Sequence, residues 1–264
     1  MTTALLTDTV ADRLAGAVDF ALLWGLDALA LRTVGGERVP HVNEAAVGAR
    51  LAESELDLAL VDPGLFEAPA ASRAGWMNEV AMFDETAAFC RRLGTRTLRA
   101  GALGGGDVAR DALRALGEAA APHGLRIAVG NDAETGVPTG AALARLLADV
   151  GHAAVGADWR PAAADAAGET PTDGLAALLD AGVPVWSAEV RDRADGADVS
   201  PGEGRFRWPA MLAALAAAGF DGVLALDLSD WRTRGARIGP AGLRASTALI
   251  HLVRAALREA ALRA

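Results

Sequence analysis

Carboxylates stand near the ends of three consecutive apolar runs in the second half of the chain, at Asp158, Glu189 and Asp227. Such side chains take up and release protons, and their oxygens are ligands that hard divalent cations accept. Carboxylates gathered at one place repel each other unless a metal ion, an arginine or a shared proton compensates. The sequence therefore predicts either a metal site formed by these three residues or an ion-pair network with arginines such as Arg160 and Arg191.

Other residues that follow apolar runs could bind a substrate. Arg32, Asn131 and Arg191 carry N–H donors suited to substrate oxygens. Trp159 offers an aromatic face that could cover the C–H surface of a sugar ring. In this interpretation Glu189 or Asp227 is the general base.

Short β-prone runs alternate with longer helical segments along the whole chain. Helical segments are identified by apolar residues at i, i+3, i+4 and i+7. The predicted strands cover residues 4–6, 26–31, 56–61, 96–100, 125–129, 153–157, 183–190 and 222–228. The predicted helices cover residues 11–24, 43–54, 75–93, 107–122, 139–150, 172–181, 208–218 and 240–262.

Eight alternating units predict a (β/α)8 TIM barrel. Strict alternation favours parallel strands joined by right-handed crossovers, and eight such units suffice to close a barrel. No linker interrupts the pattern, so a single domain over residues 1–264 is expected. A doubly wound open sheet is the alternative, but the phosphate fingerprint expected after its first strand is absent. In a barrel the chemistry belongs at the carboxyl ends of the strands.

Helix boundaries carry their own signals. Asn43, Asp107, Thr139 and Thr172 stand at the starts of helical segments and are predicted N-caps. Gly94 and Gly151 follow helical segments where a left-handed residue commonly ends a helix. These signals support the alternation read from hydrophobic periodicity.

The charge and composition restrict the function. The formal net charge is -9, and all 25 basic residues are arginines spread along the chain, so nucleic acid is not an expected partner. The absence of lysine excludes a lysine Schiff base.

No apolar stretch approaches the roughly 18 residues of a membrane span, and no secretory signal is recognisable, so a cytoplasmic location is expected. The single Cys90 is predicted to pack in the core.

Three segments resemble a known family. LWGLDALALR at residues 23–32 is similar to the entry segment of xylose isomerase-like sugar phosphate isomerase/epimerase proteins. AAGFDGVLALD at 217–227 resembles their final strand, and PGEG at 201–204 their loop after the seventh strand. In element order the resemblance covers nearly the whole chain. It implies a TIM barrel and, in most members, Mn or Mg at the barrel mouth.

The resemblance also implies a metal set that this chain keeps only in part. Family members usually place Glu, Asp, His and Glu at the ends of strands five to eight. Asp158 matches the aspartate, whereas Gly130, Glu189 and Asp227 stand at the other three positions. Ala30 also stands where many relatives have a glutamate. The remaining oxygen ligands, Asp158, Glu189 and Asp227, would suit a hard cation such as Mg.

Two functions from different classes follow. The first is an isomerase- or epimerase-like enzyme that removes a proton next to the carbonyl of a small sugar or sugar derivative. The second is a catalytically degenerate barrel that binds a carbohydrate-like ligand or a protein partner. A homo-oligomer is compatible with both. An abasic-site endonuclease of related barrel type conflicts with the acidic charge and the shortage of histidines at strand ends.

Overall fold

Within the residues that the computed structural model describes, 1–68 and 73–263, eight parallel strands close into a barrel. Each strand pairs with the next along the chain, and the last pairs with the first, Thr2 opposite Val223. The predicted TIM barrel is confirmed. The strands are β1 (Thr2–Leu6), β2 (Ala28–Leu31), β3 (Asp57–Leu65), β4 (Thr97–Ala100), β5 (Arg126–Gly130), β6 (Val155–Trp159), β7 (Val185–Val190) and β8 (Val223–Leu226).

The helices follow the strands in sequence and pack around the barrel. Their apolar faces and the outer faces of the strands share one large core. The helices are α1 (Leu14–Trp24), α2 (Glu44–Ser54), α3 (Arg73–Ala81), α4 (Phe83–Leu93), α5 (Gly106–Ala120), α6 (Gly140–Val150), α7 (Pro161–Ala166), α8 (Pro171–Asp180), α9 (Trp208–Ala217), α10 (Ser229–Thr233) and α11 (Ile238–Arg263).

Asn43 and Thr139 cap their helices as predicted, whereas Asp107 and Thr172 lie inside the first turns of α5 and α8. The side chain of Asn43 accepts a hydrogen bond from the Ala46 N–H, and that of Thr139 accepts one from the Ala142 N–H, both at 3.1 Å. These bonds satisfy N–H groups that have no partner within the helix. Gly94 and Gly151 end α4 and α6 in the left-handed conformation, so their chain reversals are local properties of the sequence.

Short elements are where the structure departs from the prediction. The segment predicted as one helix over residues 75–93 forms α3 and α4, which are separated at Met82. Helices α7 and α10 were not predicted, because five or six residues are too few to show a helical period. Two hairpins at the carboxyl ends of strands were also not predicted: Thr33–Val34 with Glu37–Arg38, and Asp192–Ala194 with Ala197–Val199.

The two halves of the barrel interior differ in chemistry. Strands β1, β2, β3 and β8 contribute a small apolar cluster: Ala4, Leu6, Ala28, Ala30, Leu60, Val223 and Ala225. Strands β4, β6 and β7 instead contribute Arg99, Asp158 and Ser187, all buried. Because β4 and β6 are not neighbours, the contact between Arg99 and Asp158 crosses the barrel interior. The side formed by β4 to β7 therefore carries the polar side chains of the site.

Candidate active site at the barrel mouth

An ion cluster of two arginines and one aspartate lies at the carboxyl ends of β4 and β6. Asp158 Oδ2 lies 3.0 Å from Arg99 Nε and 2.8 Å from Arg160 Nε. Asp158 is fully buried and Arg99 is only 2% exposed. Removing charges from water is costly, so an arrangement of this kind requires close pairing. Two guanidinium groups and one carboxylate leave one positive charge within this set.

Hydrogen bonds complete the surroundings of Asp158. Ser187 Oγ and Arg99 Nη2 donate to Asp158 Oδ1 at 2.5 and 3.2 Å. Burial alone would raise the pKa of Asp158, but the charges of Arg99 and Arg160 and the hydrogen bonds from Ser187 and Arg160 outweigh it and hold the pKa below its usual value. Asp158 is therefore an anion that is ion-paired with Arg99 and Arg160.

Gly130 allows Arg160 to lie over the barrel mouth. A Cβ at Gly130 would lie 2.6 Å from both Cζ and Nε of Arg160. Real Cβ atoms essentially never approach other atoms so closely. The position where the resemblance implied a glutamate thus faces a guanidinium group.

Asn131 holds the backbone of Arg160. Its Oδ1 accepts from the Arg160 N–H at 2.8 Å, and its Nδ2 donates to the carbonyls of Arg160 and Pro138 at 3.0 and 3.1 Å. Asn131 is fully buried and both hydrogens of its amide are used. The prediction that Asn131 binds substrate is therefore contradicted by its contacts. Asp132 assists by accepting from Arg160 Nη1 at 3.3 Å.

Glu189 has the opposite environment to Asp158. Its side chain is 13% exposed and its nearest cation is Arg191 Nη1, at 4.0 Å. No hydrogen bond joins its carboxylate to any residue in the described ranges. Burial, and after it the negative charge of Asp227, raise the pKa of Glu189 despite the opposing charges of Arg160, Arg99 and Arg191. Glu189 is thus a carboxylate that holds its proton to higher pH than usual.

Asp227 and Arg191 lie beside Glu189 but have partners in neighbouring elements. Asp227 is buried, and its Oδ1 accepts from the Ser229 N–H at 2.7 Å at the start of α10. Arg191 Nε donates to Asp198 of the hairpin after β7 at 2.9 Å. Both residues act on Glu189 through charge, with opposite signs.

Arg32 lies at the mouth as the sequence predicts. Its Nε and Nη2 donate to Asp8 at 2.8 and 3.2 Å, and its side chain is 32% exposed. Burial would lower the pKa of Arg32, but the hydrogen bond and charge of Asp8 raise it overall. Arg32 is a cation at the rim of the site.

Trp159 does not line the mouth. It is fully buried, and a Cβ at Gly174 of α8 would lie 2.6 Å from its Cη2. Because neighbouring side chains of a strand point to opposite faces, Asp158 on the inside places Trp159 against the helices. The predicted aromatic wall for a sugar at Trp159 is wrong, and this tryptophan packs the core.

A cavity of about 270 Å³ opens among these residues at the carboxyl ends of the strands. Glu189, Arg99, Arg160 and Arg32 line the cavity, so one carboxylate lies next to three guanidinium groups. The remaining lining residues are Asp62, Leu65, Glu67, Gly101, Asp132, Glu134 and Thr135. Asp158 lies beneath the cavity, and Arg191 and Asp227 do not line it.

The predicted metal set of Asp158, Glu189 and Asp227 is not assembled. Across residues 1–68 and 73–263, no group of three or more His, Cys, Asp or Glu side chains could hold a metal ion. Both oxygens of Asp158 face guanidinium groups, whose positive charge opposes a cation at the same place. The donor set thus does not fit a divalent metal, and Asp158 alone of the three carboxylates pairs closely with arginines within the described residues.

The sequence prediction missed the importance of Arg99. No role was predicted for Arg99, although a charged residue within the short run TLRA is unusual for a buried strand. Its role depends on a contact with Asp158, which lies 59 residues further along the chain, and no local sequence pattern reveals such a contact. Ser187 in β7 was missed for the same reason.

Comparison with known proteins agrees with this architecture. The sequence profile of a family described as a xylose isomerase-like TIM barrel matches residues 18–248. A comparison with curated proteins by sequence finds no match. No helix within the described ranges is long and apolar enough to cross a membrane.

Solved structures with the same fold include proteins with different titles. A zinc-bound IolI protein superposes with a TM-score of 0.78 at 18% identity, over 96% of this chain and 98% of that one. An L-ribulose 3-epimerase gives 0.78 at 14% identity, over 100% and 98%. A xylose isomerase domain protein from Alicyclobacillus acidocaldarius gives 0.76 at 22% identity, over 97% and 99%. These identities establish a shared fold and no more.

Proposed function

Because the chain belongs to the xylose isomerase-like TIM barrel family, we propose that it is an isomerase- or epimerase-like enzyme acting on a small sugar or sugar derivative. The reaction is removal of a proton next to a carbonyl at the carboxyl-end mouth of the barrel. Solved structures of the same fold include a sugar epimerase, which supports this reaction class.

The observation that carries the proposal is the state of Glu189. A general base needs a carboxylate that reaches the substrate and is not already bound within the protein. Glu189 lines the cavity, accepts no hydrogen bond from the described residues and has a raised pKa. A raised pKa makes a carboxylate a stronger base, which suits proton removal near neutral pH.

Asp227 and the arginines have supporting roles in this proposal. The negative charge of Asp227 raises the pKa of Glu189 and so strengthens Glu189 as a base. Arg32 binds substrate oxygens at the rim of the cavity. Arg191 neutralises part of the negative charge around Glu189.

The proposed partner is a small sugar-like molecule, with no nucleic acid. The formal net charge of -9 disfavours a polyanion. We further propose a cytoplasmic location and allow for a homo-oligomer, both on sequence grounds.

A substrate panel tests the proposal. The purified protein is incubated with ketoses, aldoses and sugar acids, and NMR spectroscopy detects new isomers. We expect conversion of at least one compound, with loss of about a hundredfold or more in rate in Glu189→Gln. Conversion that persists unchanged in Glu189→Gln would contradict the assignment of the base.

A second candidate is a degenerate barrel that binds a carbohydrate-like ligand or a protein without turnover. It is favoured by the failure of Asp158, Glu189 and Asp227 to form a metal site. A panel compound that raises the melting temperature but is never converted would support this candidate over the first.

A further inference from the structure

We infer that Arg99 and Arg160 supply the positive charge that holds the substrate oxygen during proton removal, so that the reaction needs no divalent metal. This inference rests on the proposed function and adds the electrophilic half of the site. It assigns two catalytic residues and a third, Asp158, that positions them.

The first argument is that guanidinium groups already occupy the place where a cation would act. Arg160 lies over Gly130 so closely that a single Cβ there would meet its guanidinium at 2.6 Å. Asp132 and the backbone contacts of Asn131 hold Arg160 in this place. The Nε atoms of Arg99 and Arg160 both lie within 3.0 Å of Asp158 Oδ2.

The second argument is that Asp158 is committed to these arginines. Its two oxygens accept hydrogen bonds from Arg99, Arg160 and Ser187, and the residue is fully buried. An anion between two guanidinium groups fixes their positions without neutralising both. Such prearranged charge costs little reorganisation when negative charge develops on a substrate.

The third argument is that each guanidinium keeps a donor for a ligand. Arg99 uses Nη2 and Nε toward Asp158, and Arg160 uses Nε and Nη1. Within the described parts of the chain, Arg99 Nη1 and Arg160 Nη2 have no acceptor. Both residues line the cavity together with Glu189. In our proposal the carbonyl oxygen of a substrate in this cavity accepts from both groups, and Glu189 acts on the neighbouring carbon.

The step balances with solvent water as the only other reactant. Glu189 takes the proton from the carbon next to the carbonyl, and the C–H electron pair forms the enolate double bond. The carbonyl π electrons move to the oxygen, which accepts hydrogen bonds from Arg99 and Arg160. Water protonates the same carbon from the opposite face to give the epimer, while Glu189 releases its proton to solvent. Protonation of the former carbonyl carbon gives the isomer when the proton of the neighbouring hydroxyl group moves to the enolate oxygen.

Metal titration of the full chain tests the inference apart from any activity. Mn²⁺ binding is measured by electron paramagnetic resonance for the wild type and for Glu189→Gln and Asp227→Asn. We expect the three proteins to bind the same number of ions with the same affinity. If the wild type binds one more ion per chain than either variant, the mouth is a metal site and the inference fails.

Activity measurements give the second test. Exchange of the substrate proton with solvent should change by less than about twofold after dialysis against EDTA, and Arg160→Ala should lower the rate by about a hundredfold. Added guanidinium ions should restore part of that loss, which also shows that the variant is folded. Arg92→Ala is the matched control, because Arg92 pairs with Glu44 at the surface. A loss of more than about tenfold in EDTA that Mn²⁺ reverses would overturn the inference.

The outcomes distinguish the proposed function from the proposed role of Arg99 and Arg160. If no sugar undergoes exchange, the proposed function fails, and the Mn²⁺ titration alone still decides whether the mouth binds a metal. If exchange occurs but depends on Mn²⁺, the proposed function stands and the role of the arginines is refuted. Arg160→Lys, which keeps the charge but loses the fork of donors, should retain more rate than Arg160→Ala.

Discussion

Two carboxylates in neighbouring strands, Asp158 and Glu189, ionise differently because their partners differ. Asp158 sits between two guanidinium groups, which hold its pKa below the usual value against the effect of burial. Glu189 is buried beside another carboxylate, Asp227, and its pKa is raised. One residue is thus a permanent anion and the other can exchange a proton, which is the division of roles that acid–base chemistry requires.

The raised pKa of Glu189 has a consequence for stability. A glutamate whose pKa is higher in the folded than in the unfolded chain loses stabilising free energy as the pH rises above the ordinary value near 4.5. Glu189→Gln removes this loss. We expect the variant to gain in melting temperature over the wild type as the pH goes from about 5 to about 8.

The control is an exposed glutamate of α5, Glu118→Gln, whose charge the solvent screens. It should change the melting temperature by a similar small amount at both pH values. A Glu189→Gln variant whose stability relative to the wild type falls as the pH rises would show that Glu189 is stabilised as an anion, contrary to this account.

Helices α6 and α8 pack closely against each other where Gly140 faces Gly174. A Cβ at Gly140 would lie 2.6 Å from the Cα of Gly174. Glu169, just before α8, accepts from the N–H groups of Gly140 and Ala141 at 2.6 and 3.1 Å. This contact sets the spacing of the helices behind β6, the strand that carries Asp158.

Gly140→Ala is therefore expected to destabilise the protein by about 1–3 kcal/mol, because backbone atoms of α8 cannot move aside as a flexible side chain can. Gly48→Ala in α2 is the matched control. Its added Cβ would lie 3.5 Å from Leu93 Cδ2, an ordinary contact, and alanine favours the helix by about 0.5–1 kcal/mol. Equal effects of the two substitutions in urea unfolding would refute the close contact.

Elements were predictable from sequence where the signal is local. Helix ends such as Thr139 and Gly151 were read correctly because cap chemistry involves only a few neighbouring residues. The roles of Asn131 and Trp159 were not, since both depend on which way a side chain faces after the barrel closes. Asn131 turns to the backbone of Arg160, and Trp159 turns to α8. A polar residue at a strand end indicates where the site lies, but it does not indicate which role the side chain has there.

At the scale of the molecule, the closed barrel brings residues from distant parts of the chain to one cavity. Arg99, Arg160 and Glu189 come from different strand ends and meet only because β4 to β7 are consecutive in the barrel. The opposite half of the interior is filled by apolar side chains. This asymmetry places Arg99, Arg160 and Glu189, and with them the proposed reaction, on one side of the barrel.

The central claim is that Glu189 removes a proton from the carbon next to a carbonyl. Deuterium exchange measures this step directly, because it detects proton removal even when no net isomer forms. Sugars are incubated in D₂O with the wild type or Glu189→Gln, and NMR spectroscopy follows the signal of that proton. The account predicts washout by the wild type and a rate lower by about a hundredfold or more in the variant. Equal washout by both proteins would contradict it.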